Sequence, residues 1–523
     1  MATINGKEIG TGGFYLPTVY QKSQQRIEEC LEKGEIDYAE LTRWSFPDEF
    51  LCFAMESKLL KFIDSSYPNP REKNEVPIWF IISCQFILRL HQKANYNNLQ
   101  YLLNSGSLLT RFGFNVGAKK IGFNDKNKKK RKEVIHYDTV RKFFKDTKCN
   151  EIRSWYRDDL QRWFNTKRTF DHRGIFILDQ SRLVVPNNEN YTDAVKMPVD
   201  EHGQLYEGLK YLTEEQKKSL IYHPCYTFST LLNVGIGQDG FHIAGYEFGP
   251  GNEDELVQAE RLVPSFCRQF KGLMKTLIVD RGYIDGEFLG KLKRDHSVDT
   301  LIPLKKNMDD FKEAIAIANM TNDWKTVEET TNASSRLVFK KEIASVPDLD
   351  LWDSLDCKVH AIATRYTSWD AASGTYEEKY GVLVSTKKYT DPTMMITHYD
   401  LRVQTEERFR QFKHDWYIAN FPSPHASLIE SHVCFTLLTY SLLQLYLKRK
   451  DLQEMTNKMI SSLRTDERLG KDAVLVYARE KFGIFDLDDY TVRVAGLQDI
   501  PREKLIVTMQ AQKEARLKRN QED

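Results

Sequence analysis

The eight cysteines of this 523-residue chain never come closer together than 22 residues. That spacing leaves no Cys-x-x-Cys metal knuckle and no compact disulfide framework. It suits scattered buried thiols in a reducing cytosol. Net charge is nearly absent as well: 75 Lys and Arg against 74 Asp and Glu leave +1. That sum excludes a uniformly basic protein that coats nucleic acid. Long apolar runs are also missing. Gln85 and Arg89 interrupt the stretch 76–90, and the stretch 432–447 is 16 residues with a His and a Gln inside it. Both fall short of the roughly 20 residues a membrane span needs, so buried helices and no membrane partner are expected. No basic stretch precedes an apolar run in the first residues, so no signal peptide is expected. Hydrophobic residues make up 41% and charged residues 28%, with 29 Phe, 25 Tyr and 8 Trp. That is the composition of a globular chain able to bury a large core, and its length suggests two to four domains.

The charge is segregated. Residues 111–170 hold 18 Lys and Arg against 7 Asp and Glu, a local +11, which leaves −10 for the remainder. Within that window stand Lys128, Lys129, Lys130, Arg131 and Lys132. Such a run is either a solvated loop or a phosphate-binding patch that gains affinity by releasing condensed counterions. Phe143, Phe144, Arg153, Trp155, Tyr156, Arg162 and Trp163 follow it, and this interleaving favours a folded helical module over a loose tail.

Residues 1–35 are weakly patterned. Periodicity from 36 to 167 is helical, so an all-helical, basic, DNA-contacting domain is expected there. Its stretch from Ile135 to Phe144 looks like a capped helix start, with Asp138 or Thr139 as N-cap. At Gly174-Ile175-Phe176-Ile177-Leu178-Asp179 the pattern changes to a buried strand ending in Asp. Further strands are expected at 226–236 and 241–247, and a helix near 253–268. Met274 to Asp280 then gives a second apolar strand ending in Asp. A helix near 284–295 and a strand at 299–304 complete the first part of the core, 168–305. The fold class is α/β, in the element order of a ribonuclease-H-like core. Residues 306–395 carry short β-patterned runs and are expected to form an inserted β-rich subdomain. The core resumes over 396–450, and 451–523 is expected to be helical, with a possible role in dimerisation.

Asp179 and Asp280 end strands of the same kind. Neighbouring strands would bring both carboxylates to one sheet edge, where sites in open sheets form. Carboxylates that close repel unless a cation lies between them. Hard oxygen ligands without a nearby His or Cys pair suggest Mg²⁺ or Mn²⁺. A third ligand is expected from the segment His398 to Trp416. On one continuous helix with Tyr399 at zero, Arg402, Glu406 and Lys413 fall at roughly 300°, 340° and 320°, one narrow stripe. Phe409, Trp416, Phe412 and Leu401 form an adjoining apolar stripe, while Glu407 points away at roughly 80°. This geometry selects Glu406 as the third ligand.

The spacing Tyr-x2-Arg-x3-Glu-x6-Lys, as Tyr399, Arg402, Glu406 and Lys413, resembles the Tyr-Arg-Glu-Lys signature of one group of DDE transposases from bacterial insertion sequences. The order of features is similar too: a first strand-end Asp, a second in the context Asp280-Arg281-Gly282-Tyr283, a β-rich insertion, then the Glu helix. Gly249-Pro250-Gly251-Asn252-Glu253-Asp254 resembles the Gly-Asn-x-x-Asp turn that precedes the next helix. The resemblance spans roughly 170–450. It implies a metal-dependent phosphoryl transferase acting on double-stranded DNA. Asp179, Asp280 and Glu406 would hold two Mg²⁺ ions, with Mn²⁺ able to substitute, and Tyr399, Arg402 and Lys413 would hold phosphates at the element's end. It further implies terminal-repeat binding, a homodimer pairing two ends, and joining of 3′ ends to target DNA, in a bacterial cytoplasm at the nucleoid. Where the best-known members carry a base-capturing Trp, the matching strand here has Tyr380 as its only aromatic. The alternatives are a ribonuclease-H-like nuclease or resolvase without strand transfer, and a domesticated protein that only binds DNA.

Overall fold

Ile175, Phe176, Ile177 and Leu178 are all buried, the environment that an unbroken apolar run specifies for a strand covered on both faces. They open β1 (Ile175–Val184). The computed structural model describes residues 21–72, 76–103, 134–200, 204–206, 212–235, 240–332, 337–350, 354–355, 357–370 and 374–522. The chain forms two units, Arg153–His414 and Met1–Ile152 with Asp415–Asp523.

In the unit Arg153–His414, β1 is followed by β2 (Ile221–Val234), β3 (Phe241–Pro250), helix α1 (Glu255–Gln269), β4 (Thr276–Ile278), helix α2 (Gly286–His296) and β5 (Asp299–Pro303). β2 runs antiparallel to both β1 and β3, while β4 is parallel to β1 and β5 parallel to β4. The spatial order β3-β2-β1-β4-β5 is a mixed sheet flanked by helices, consistent with the ribonuclease-H-like expectation.

Next come helix α3 (Asp309–Thr321) and strands β6 (Lys325–Asn332), β7 (Leu337–Leu349), β8 (Val359–Asp370) and β9 (Thr375–Ser385). β9 pairs antiparallel with β5 through Leu301–Ser385, Ile302–Val384 and Pro303–Leu383. The order β5-β9-β8-β7-β6 therefore continues the same sheet. The region read as a β-rich insertion also holds α3, which strand patterning missed. Phe311, Ala314 and Ala318 bury one face of that helix at helical spacing. Helices α4 (Pro392–Asp400) and α5 (Val403–His414) end the unit. Phe176, Leu178, Leu262, Phe266, Leu277 and Leu289 belong to one buried cluster under α1 and α2. The aromatics around 155–163 are packing residues: Trp155, Tyr156 and Trp163 are buried.

In the other unit, helix Ala426–Arg449 is longer than the apolar run 432–447 because its first turns bury polar side chains, among them Ser427, Glu430 and Ser431. It is long and apolar enough to cross a membrane, but 94% of its apolar window is buried inside the fold. Helices Phe46–Glu56, Ile78–Leu90 and Tyr137–Asp146 pack on it. Phe144 and Phe435 meet edge to face at 5.2 Å, as aromatic pairs prefer. The N-cap of Tyr137–Asp146 is His136, whose ring Nδ1 accepts from the Asp138 N–H, rather than Asp138 or Thr139. Neither 36–167 nor 451–523 is wholly helical. Strand Tyr38–Trp44 pairs antiparallel with Lys471–Ala478, which pairs with Lys481–Asp486. The two ladder partners stand more than 400 residues apart in sequence, so no local pattern announces the pairing. Residues 104–133, including Lys128, Lys129, Lys130, Arg131 and Lys132, lie outside the described residues.

Candidate active site

The last parallel pair between β1 and β4 is Ile177–Ile278. Asp179 and Asp280 each stand two residues beyond it. With the two-residue period of strands, both carboxylates leave the same face of the sheet at the same end. The alternate positions, Phe176 and Leu178 on β1 and Leu277 and Val279 beside them, go into the core under α1 and α2. Asp179 does not end its strand as the sequence suggested. β1 continues to Val184, with Asp179 opposite Thr230 of β2. What ends near Asp179 is the parallel partner, because the chain turns at Asp280 into a short 3₁₀ segment, Arg281–Tyr283. Asp280 accepts from the Arg281 N–H at 2.7 Å and Asp179 from the Gln180 N–H at 2.9 Å, which fixes both carboxylates against their own backbone.

Glu406 arrives from α5. The segment 399–414 is not one continuous helix. α4 stops at Asp400, and the N–H groups of Leu401, Arg402, Gln404 and Thr405 bond to carbonyls three residues back, at 2.9–3.2 Å. That tighter winding re-aims Arg402 relative to an ideal helix. Its guanidinium reaches all three acids. Nη1 donates to Asp179 Oδ2 at 2.8 Å, and Nη2 lies 2.9 Å from Glu406 Oε1 and 3.8 Å from Asp280 Oδ2. One cation therefore bridges carboxylates contributed by the middle of β1, the turn after β4 and a helix. The helix docks by its other face: Phe409 and Phe412 are buried, with rings 5.7 and 6.2 Å from Phe228 of β2. The buried Arg408 guanidinium sits 4.1 Å from the Phe241 ring centroid, a cation–π contact. Trp416 lies beyond the helix end.

The electrostatics follow from crowding. Burial pushes the Asp179 carboxyl up to about 6; Arg402 and the Gln180 N–H oppose the rise, while Asp280 and Glu255 add to it. Burial works against the Arg402 charge, yet Asp179, Asp280, Tyr399 and Glu406 together hold it above its ordinary value. Burial raises the Tyr399 phenol, against the pull of Arg402 beside it. The Lys413 ammonium is accessible to solvent but crowded by protein, and this desolvation lowers its pKa. Three carboxylates of hard oxygen, with no Cys or His among them, fit a Mg²⁺- or Mn²⁺-type ion in donor chemistry. Among the described residues no three acidic, His or Cys side chains stand close enough to hold an ion as they are, because Arg402 stands between the acids.

Asp179, Asp280, Glu406, Arg402 and Tyr399 thus come together, with Lys413 two turns along α5 from Glu406. Tyr380 stands on β9, in the part of the sheet beyond β5. It pairs with Arg365 across β8 and β9, its ring lies 6.2 Å from Trp324, and it packs on the hydrophobic core. Sequence reasoning missed Glu255, Arg182 and Lys305. Glu255, the first residue of α1, feels Asp280 directly, and Arg182 and Lys305 feel Glu255 in turn. An acid at a helix start reads as an ordinary first-turn residue, and lone surface cations carry no local signal.

Residues 172–442, just over half of the chain, match the family described as transposase DDE domain. No curated protein matches the sequence.

Proposed function

The chain belongs to the DDE-domain transposases, metal-dependent DNA nucleases and strand transferases, and from that footing we propose that it is a cut-and-paste transposase of an insertion sequence, in the Tyr-Arg-Glu-Lys group. It binds the element's terminal inverted repeats, cleaves at the ends, and joins the 3′ ends to target DNA. Two copies pair two ends. The observation that carries this reading is the single guanidinium of Arg402 in contact with Asp179, Asp280 and Glu406.

Asp179, Asp280 and Glu406 are the residues to hold two Mg²⁺ ions, with Mn²⁺ as a substitute. Held there, the ions would supply activation of a water or DNA 3′-hydroxyl and neutralisation of charge on the leaving oxygen. The chain's own groups then position the phosphate and exclude alternatives. Arg402 offers a planar fork suited to two phosphate oxygens, Lys413 a point charge, and Tyr399 a hydroxyl beside them. Arg182 and Lys305, both exposed next to Glu255, extend this cationic rim toward the DNA backbone. The cluster Lys128–Lys130, Arg131 and Lys132 adds non-specific phosphate attraction. Tyr380 remains a candidate for base stacking only if the DNA reaches the outer part of the sheet.

The test is incubation of the purified chain with Mg²⁺ and a labelled element end. Wild-type protein cuts at the end and joins it to a target plasmid. Asp179→Ala, Asp280→Ala and Glu406→Ala each keep end binding in a mobility-shift assay and lose cleavage by at least about a thousandfold, the scale of losing a group that acts only in the transition state. Retained turnover in any one of the three refutes the assignment.

A further inference from the structure

The face of β1 opposite Asp179 carries Phe176, Leu178 and Gln180, because side chains alternate along a strand. On β2 the matching row is Leu231, Ser229 and Thr227: Leu178 pairs with Leu231, Gln180 with Ser229 and Arg182 with Thr227. The row turns from apolar to polar under α1, although Ser229 and Thr227 are fully buried. The change falls where β1 loses a partner. Its last pair with β4 is Ile177–Ile278, so beyond that point the ladder holds Asp179 and Gln180 from the β2 side alone.

One side chain of α1 meets these polar groups. Gln258 is fully buried, and both ends of its amide are saturated. Nε2 donates to Glu253 Oε2 at 2.7 Å and to Thr227 Oγ1 at 2.9 Å. Oε1 accepts from Gln180 Nε2 at 3.2 Å and from the Ser229 hydroxyl. Two donors and two acceptor sites are all that an amide has. The Glu253 carboxylate, which only accepts, decides which way round the amide lies. Glu253 is itself held by Arg261 Nη1 at 2.8 Å. Gly249 leaves room for this contact, since a Cβ there would lie 2.1 Å from Glu253 Oε2. At the far end, the Gln180 N–H is the group that bonds Asp179 Oδ1. Ser229 is also hydrogen-bonded to the buried phenol of Tyr283, in the turn that follows Asp280.

We propose that Gln258 is a positioning residue for Asp179. It replaces, from the helix side, the ladder that β1 loses beyond Ile177, and so fixes the backbone that carries the carboxylate. The proposal rests on the reading of Asp179 as a catalytic, ion-holding acid. Apolar side chains could fill the same space, but a fully satisfied buried network also sets direction and rigidity. Catalysis needs that rigidity, because a displacement of about 1 Å can cost on the order of a hundredfold in rate.

The test is single-turnover cutting by the full chain, saturated with Mg²⁺ and a labelled element end, well below the melting temperature of each variant. Gln258→Met keeps the length of the side chain and removes its four bonds. Gln180→Met removes one arm and leaves the Gln180 N–H on Asp179. Gln180 is only half-buried, so this variant carries the test even if Gln258→Met fails to fold. Both are expected to slow cutting roughly 10- to 100-fold, the scale for loss of a supporting residue, with wild-type end affinity in a mobility-shift assay. The exchange of Gln258→Glu with Glu253→Gln again sets a donor against an acceptor, and is expected to recover most of the rate lost in Gln258→Met. Wild-type rates in both Met variants, with Asp179→Asn inactive, overturn the proposal and leave the catalytic reading standing. Rapid cutting by Asp179→Asn overturns both. A lower melting temperature in Gln258→Met with a wild-type rate marks Gln258 as a support of the fold alone, and also overturns the proposal.

Discussion

Asp179→Asn is expected to stabilise the metal-free protein while abolishing cleavage. Burial lifts the Asp179 carboxyl from an ordinary 3.8 to about 6 even with Arg402 bonded to it. A carboxyl with a higher pKa in the folded than in the unfolded chain favours folding while it is protonated. Its contribution is therefore complete below about pH 4 and is lost as pH rises through about 6. Two pH units correspond to ~3 kcal/mol, the cost of ionising this group inside the fold at neutral pH. Asn stands in for the protonated carboxyl and escapes that cost. In urea denaturation with a chelator present, the variant should exceed wild type by up to ~3 kcal/mol near pH 7.5 and by almost nothing near pH 4. Adding Mg²⁺ should stabilise wild type alone, by ~2.7 kcal/mol at a hundredfold excess over its Kd. A variant no more stable than wild type near pH 7.5, or one with the same advantage at both pH values, refutes the account of a strained acid site. Stability gained by removing this carboxylate is the counterpart expected of the catalytic role proposed for it.

Arg402→Ala removes the internal cation that competes for the three acids. It should bind Mn²⁺ roughly tenfold more tightly in calorimetry without DNA, about 1.4 kcal/mol, while strand transfer falls because the phosphate contact is lost. Weaker Mn²⁺ binding would show that Arg402 supports the ion rather than competing with it. Phe412→Ala empties the fully buried contact that seats α5 on Phe228, and should cost ~3–5 kcal/mol in urea denaturation. A loss below about 1 kcal/mol would mean that α5 is held mainly by other contacts.

The legibility of the site in the sequence had a physical basis. The apolar runs Ile175–Leu178 and Leu277–Val279 each stop at an Asp, where the chain leaves the packed core and a charge becomes tolerable. The spacing of Tyr399, Arg402, Glu406 and Lys413 survived a wrong assumption. The helix breaks at residues 401–402, but three-residue bonding shifts the angles by too little to separate the group. The apolar positions Phe409 and Phe412 pack as helical periodicity requires. Tyr380 lacks such legibility, because a lone aromatic at a strand edge has the same local pattern whether it stacks a base or fills a core.

Sequence alone determined the core strands from Ile175 to Pro303 and the helices between them, and it singled out Asp179, Asp280 and Glu406 as candidates, because each is written in residues that neighbour one another along the chain. The tertiary structure decided what depends on meetings between distant segments. It joined Tyr38–Trp44 to Lys471–Ala478 in one sheet and extended the catalytic sheet through β9. It placed Arg402 among three acids and turned Glu255 onto Gly282. Charge interactions act through space, and a carboxylate's environment is set by whichever groups the fold brings to it, a quantity that no stretch of sequence contains.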